Sequence, residues 1–208
     1  ICVWTRGILA NEYGVDNSKV TWVVDDEEHV TQMPLPPNVV HAPEGKSLVK
    51  LMESGEIQAG FNARAGIGRE GAPKAGWEDK QQAAAPVYNE LFPNSAELEA
   101  AWYKRTGVYP MHGLIVVKDK LLAEHPWLAR SLYDAFLEAK NRYVEGLRAG
   151  KVVTADDKKY AGFMPLLGDP LPYGVKDNLP SIKTMIDYTY QQGMIPKKVT
   201  PEEVFVKL

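Results

Sequence analysis

A handful of residues in this chain could hold an anion or move a proton, and they lie far apart in the sequence. His112 heads the apolar run Leu114 to Val117, and residues 112–118 read as a strand. An imidazole titrates at about pH 6.5, so a histidine at a strand start suits a general acid. A hydrogen-bonded structural histidine is the competing reading. Arg6 lies near the start of the first predicted helix. Its planar fork can pair bidentately with a carboxylate, and the amides of a helix N-terminus favour the same anion. The bland alternative is a surface arginine in an exposed ion pair. Arg64 follows a strand predicted over 57–63, at the end where open α/β sheets place their ligands. Asn62 beside it has the same positional case, and Trp4 or Tyr109 could stack on an aromatic ligand.

Other residues invite weaker readings. His41 on a short strand reads as a core histidine, and His125, just before Pro126, as a cap or surface site. The run Asp25 to Glu28 with His29 is too dense for the spread ligands of a structural zinc site and reads as a solvated acidic turn. Cys2 on an apolar helix face reads as a small buried hydrophobe. No phosphate loop, dinucleotide fingerprint, HExxH or GxSxG is present, and Ala65-Gly66-Ile67-Gly68 is too weak to be a nucleotide loop.

The elements that must position these residues follow from periodicity. Val3, Trp4, Ile8 and Leu9 share a helical face that ends at Gly14, and Val20 to Val24 is β-branched and aromatic, a strand. Residues 39–63 read as strand, helix and strand: Val39 to Ala42, Ser47 to Ser54, then Ile57 to Ala63. A unit of that length favours parallel strands. Residues 64–82 have no apolar period and read as loop or lid. A helix capped near Asn94-Ser95 runs through Leu98, Ala101 and Trp102. A long helix from Pro126 carries Leu128, Leu132, Ala135, Phe136, Ala139, Tyr143 and Leu147 as its apolar stripe and closes at Gly150. The remainder reads as loop with one helix over 180–192. These late helices lack a strand to cover, so their apolar faces must bury against something else.

Composition bounds the class. With 208 residues, 45% hydrophobic and 25% charged, the chain is of ordinary globular make-up. No apolar run approaches the about 20 residues of a membrane span. A net charge of −3 disfavours a general nucleic-acid binder. One cysteine excludes an intramolecular disulfide, and with only four histidines little remains for a soft-metal cluster. The chain opens Ile1-Cys2-Val3-Trp4, already in helical stride and without an initiator methionine. It is therefore expected to be a piece of a longer protein.

Several segments carry a resemblance to one family. Trp4-Thr5-Arg6-Gly7-Ile8-Leu9 followed by Glu12-Tyr13-Gly14-Val15 resembles the 4,5-dihydroxyphthalate decarboxylases. So do Tyr109-Pro110-Met111-His112, His125-Pro126-Trp127-Leu128-Ala129-Arg130-Ser131-Leu132-Tyr133, Asp169-Pro170-Leu171-Pro172-Tyr173-Gly174 and Gln192-Gly193-Met194-Ile195-Pro196. The match runs through nearly the whole chain in order. It implies an α/β fold of two lobes around a ligand cleft, like the type II periplasmic solute-binding proteins, here incomplete at the N-terminus. On that implication residues 1–118 are mainly the second lobe, and 119–208 complete the first.

The resemblance also implies a reaction. Decarboxylation of a catechol bearing adjacent carboxylates needs a proton on the ring carbon, but no redox cofactor, because the electron-rich ring accepts the proton itself. His112 would be the catalytic acid, with Arg6, Arg64, Asn62, Trp4 and Tyr109 as substrate contacts and no metal. The different-class alternative is a solute-binding receptor for a small aromatic or aliphatic carboxylate, feeding a transporter. The enzyme would be cytoplasmic and the receptor periplasmic. Neither calls for nucleic acid or a membrane span, and open apolar faces would be met by a longer chain or by self-association into a homo-oligomer.

Overall fold

The computed structural model describes residues 2–25, 34–61, 67 and 88–208. They form a mixed α/β fold, mostly helical, with a small two-stranded parallel sheet. The chain divides into two compact units, 1–95 and 96–208, and each is described by itself.

In the first unit, helix α1 (Cys2–Tyr13) buries Trp4 and Gly7 and gives way to Gly14, whose φ of 67° only glycine adopts without strain. A single 3-10 turn (Asn17–Lys19) follows, capped by the Asp16 carboxylate, which accepts from Ser18 N–H at 3.0 Å. Strand β1 (Trp22–Val24) pairs in parallel with β2 (Val39–His41), Trp22 opposite Val39 and Val24 opposite His41. The Asn38 amide fixes the approach by donating to the carbonyls of Asn17 (2.8 Å) and Val20 (2.9 Å). Helix α2 (Leu48–Glu53), capped by Ser47, turns Leu48, Val49 and Leu51 into the core, where Ile67 joins them and Val23, Ala42, Met52, Ile57 and Tyr88 pack around.

Both strands expected around 20–24 and 39–42 form, and they are parallel, but their partner relation differs from the sequence reading. Residues 57–61 form no strand. The Ile57 N–H returns to the Leu51 carbonyl (3.2 Å) and that of Ile67 to Phe61 (2.9 Å), so the chain folds back to seat Ile67 in the core. Asp26 to His29 and most of residues 64–82 lie outside the described residues. Two smaller expectations are corrected. Cys2 is exposed, because α1 buries the Trp4–Gly7 side, and His41 is exposed, because β2 turns only Val39 inward.

The second unit is helical: α3 (Ser95–Thr106), α4 (Asp119–Glu124), α5 (Leu128–Arg148), α6 (Ala155–Leu167), α7 (Leu179–Gln191) and α8 (Pro201–Val204). Helix α5 packs on α4 and α6, and α7 on α8. The buried side of α5 is Val144 and Leu147, with Tyr133, Leu137 and Lys140 half-buried. Of the expected stripe, Leu147 is buried and Leu128 and Leu132 are half-buried, whereas Ala135, Phe136, Ala139 and Tyr143 are exposed, so the covered face is turned partly away from it. Helix α5 carries two apolar sectors, and only the one with a partner is covered.

Helix α6 falls where loop was expected. Its start is a capping box, with Asp157 N–H donating to Thr154 Oγ1 (3.1 Å) and Thr154 N–H donating back to Asp157 Oδ2 (2.8 Å). The strand expected over 112–118 does not form. Leu114, Ile115 and Val116 are exposed, Val116 to 88%, and no strand among the described residues lies alongside them. β-Branched residues favour a strand only when a ladder partner exists.

Candidate functional site

Arg6 has an unusual setting in the first unit. Its guanidinium carbon sits 4.6 Å from the ring centroid of Trp22 on β1, a cation–π stack. The backbone of α1 is held there by Asn17, whose amide donates to the Arg6 carbonyl at 2.9 Å. Arg6 Nε is buried without a hydrogen-bond partner, and so is Trp22 Nε1. Among the described residues no carboxylate forms an ion pair with Arg6. Asp16, the acid of the adjoining turn, bonds to Ser18 and pairs with Lys19 instead. Interiors rarely leave N–H donors unsatisfied, and an arginine without a counter-charge is set up to accept an anion. Trp4 is 8% exposed, a core setting, and it is Trp22 whose indole lies under the cation.

Tyr109 occupies a second place, wholly within the second unit. After α3, Gly107 turns the chain at a φ of 67°, and Ser181 at the start of α7 then clamps the tyrosine backbone. Ser181 Oγ accepts from Tyr109 N–H at 3.0 Å and donates to the Tyr109 carbonyl at 2.7 Å. The tyrosine lines a cavity of about 240 Å³ with Tyr103, Asp169, Asp177, Asn178 and Ser181. Burial pushes the Tyr109 hydroxyl above its ordinary pKa, with Tyr160 adding to the effect.

Asp169 and Pro172, which also line the cavity, belong to the segment 169–174, and internal bonds fix it. Lys140 Nζ meets Asp169 Oδ2 at 2.6 Å, Leu171 N–H donates to Asp169 Oδ1, and the Asn178 amide donates to the carbonyls of Pro172 and Gly174, each at 2.9 Å. Burial raises the Asp169 carboxyl, but the Lys140 and Leu171 hydrogen bonds outweigh it and leave it below its usual range. Among the described residues lining this cavity there is no lysine or arginine, so these residues alone are poorly suited to neutralise a dianion. Phenol hydroxyls and carboxylate oxygens suit a ligand's own hydroxyl groups.

His112 is exposed, three residues beyond Tyr109 on the segment that forms no strand. Asn62 and Arg64 lie outside the described residues. The structure thus brings Arg6 together with Trp22, and Tyr109 together with Tyr103 and Ser181. Trp22 was missed as a site residue because only the fold sets it against Arg6; in sequence it is one more aromatic in a strand. Among the described residues, no helix is long and apolar enough to cross a membrane.

Comparison with known proteins finds a distant relationship to a decarboxylase. The relative is the 4,5-dihydroxyphthalate decarboxylase of Comamonas testosteroni, to which this chain is 28% identical over 215 residues. The match takes in 98% of this chain and 62% of that protein, so the chain spans about 62% of the relative's length. No protein-family model matches.

Proposed function

We propose that this chain belongs to a cofactor-independent decarboxylase that converts 4,5-dihydroxyphthalate, or a similar aromatic dicarboxylate, to the monocarboxylate protocatechuate and CO2. The similarity to the Comamonas testosteroni enzyme along almost the entire chain is the observation that carries this reading. The unpaired Arg6 cation, a fit for a substrate carboxylate, supports it. In this proposal the protein has the two-lobed architecture of solute-binding proteins, with residues 1–118 mainly in one lobe and 119–208 completing the other.

The chemistry asks little beyond positioning. A proton adds to the ring carbon that bears the departing carboxylate, and the phenol oxygens delocalise the positive charge that develops. The bond to the carboxyl carbon then breaks, its electron pair restores the aromatic ring, and CO2 leaves. The net change is consumption of one proton. In this proposal His112 supplies that proton, Arg6 and Arg64 hold carboxylate, and Asn62 and Tyr109 complete the contacts, while Trp4 is a core residue and not a contact.

Incubating the protein with 4,5-dihydroxyphthalate and following the ring protons by NMR tests the reading. Protocatechuate formed at catalytic ratios supports it. Binding without conversion would favour a solute-binding protein for small carboxylates instead.

A further inference from the structure

We infer that Trp22 is a positioning residue: it fixes the plane of the Arg6 guanidinium so that the pair forms a subsite for the carboxylate of an aromatic acid. The inference deepens the proposed function, since it rests on the reading of Arg6 as a substrate contact. With its central carbon held 4.6 Å from the Trp22 ring centroid, the Arg6 guanidinium is restricted in its freedom to swing, which limits the directions its N–H groups can take. A carboxylate is planar and pairs with a guanidinium edge through two parallel hydrogen bonds, which a freely rotating cation would form less well.

Three independent features point the same way. The Arg6 backbone is tied by the Asn17 amide, so the side chain starts from a fixed root. The neighbouring acid, Asp16, is engaged by Ser18 and Lys19 and does not neutralise the arginine. Both members of the stack carry a buried N–H without an acceptor, Nε of Arg6 and Nε1 of Trp22, so the ring that supports the cation holds a second donor. An ordinary surface arginine would have all its N–H groups in water. Asn17 adds a buried acceptor, Oδ1, that has no donor.

The test is calorimetric titration with phthalate, which cannot react as a catechol, and with sulfate as the inorganic comparison. It uses the wild-type protein and the variants Arg6→Lys, Trp22→Phe and Trp22→Leu. Wild type should prefer phthalate to sulfate. Arg6→Lys should weaken phthalate at least tenfold, because an ammonium neither lies flat nor pairs bidentately. Trp22→Phe keeps a ring face and loses the N–H, so it should fall between wild type and Trp22→Leu, and the phthalate-to-sulfate ratio should fall in the same order. A purely structural tryptophan would not change that ratio. Should Trp22→Leu fail to fold, Arg6→Lys and Trp22→Phe still decide the matter.

Equal phthalate affinity in wild type and Trp22→Phe, full affinity in Arg6→Lys, or sulfate bound as tightly as phthalate would each overturn the inference. Measuring conversion of 4,5-dihydroxyphthalate alongside separates the two claims. Conversion with Trp22-independent phthalate binding sinks the inference alone. Binding that depends on Trp22 without any conversion sinks the decarboxylase reading alone.

Discussion

At the scale of single residues, acid and anchor should separate kinetically. If His112 delivers the proton, His112→Ala lowers kcat by about 10²–10⁴-fold while KM moves little. Arg6→Ala should act mainly on KM, because a carboxylate held equally in ground and transition states contributes uniform binding. Steady-state kinetics on the two variants checks both, and equal losses in kcat and KM for His112→Ala would count against an acid role. Arg6 stood out in the sequence as a bidentate cation near a helix start, and the structure sets it on the Trp22 ring rather than in an exposed ion pair. Trp22 was not legible, since a tryptophan in a β-branched run reads as strand whatever it touches.

At the scale of elements, the sequence signals that succeeded were those read from local physics. Gly14 and Gly150 follow their helices at positive φ where the sequence expected the helices to stop, and Ser47 caps α2. Helix α6 escaped notice because Pro165 interrupts it and its apolar residues keep no clean period, although Thr154 followed three residues later by Asp157 was a usable start signal. Thr154→Ala should therefore lower stability by about 1 kcal/mol in urea unfolding.

The same cap carries a pH dependence. The Tyr143 hydroxyl, 2.6 Å from Asp157 Oδ1, and the N–H groups of Thr154 and Val153 hold the Asp157 carboxyl well below its usual range. That stabilisation is complete above the unfolded pKa of about 3.9 and is lost as pH falls toward the lower folded value. Tyr143, pushed up to about 12 first of all by its hydrogen bond to Asp157, behaves in the opposite sense. Its contribution is present below the unfolded pKa of about 10 and disappears as pH rises toward 12. In Tyr143→Phe the alkaline loss over that window should vanish; an unchanged pH–stability curve would show that the pair does not couple to folding.

Glycines in this unit give a paired control. A Cβ at Gly174, where φ is 90°, would stand 2.9 Å from the Tyr133 ring, so Gly174→Ala should cost about 1–3 kcal/mol. Gly162→Ala inside α6 meets nothing within 4 Å and should be neutral or stabilise by up to about 1 kcal/mol. Urea unfolding of both variants reads the difference.

At the scale of the whole molecule, the strands at 20–24 and 39–42 were legible, but their parallel pairing with each other was not, since the parallel partner expected for 39–42 was the segment 57–63. The strand–helix–strand pattern over 39–63 has the right length, yet closing Ile67 into the core took precedence over extending the sheet. The apolar run 114–117 has strand composition without a ladder, and with Trp127 and Phe136 it leaves large hydrophobic side chains exposed on the second unit. Such surfaces associate. Val116→Lys should reduce concentration-dependent association in sedimentation velocity while changing unfolding free energy by less than about 0.5 kcal/mol. Identical sedimentation of both proteins would remove this segment from any self-association.

The central claim is decarboxylation, and one measurement meets it directly. The purified protein is mixed with 4,5-dihydroxyphthalate in deuterated buffer, and the ring protons are followed by NMR. The account predicts protocatechuate accumulating over many turnovers, with deuterium incorporated at the carbon that lost the carboxylate. Unchanged substrate at stoichiometric protein, with or without line broadening from binding, would contradict it.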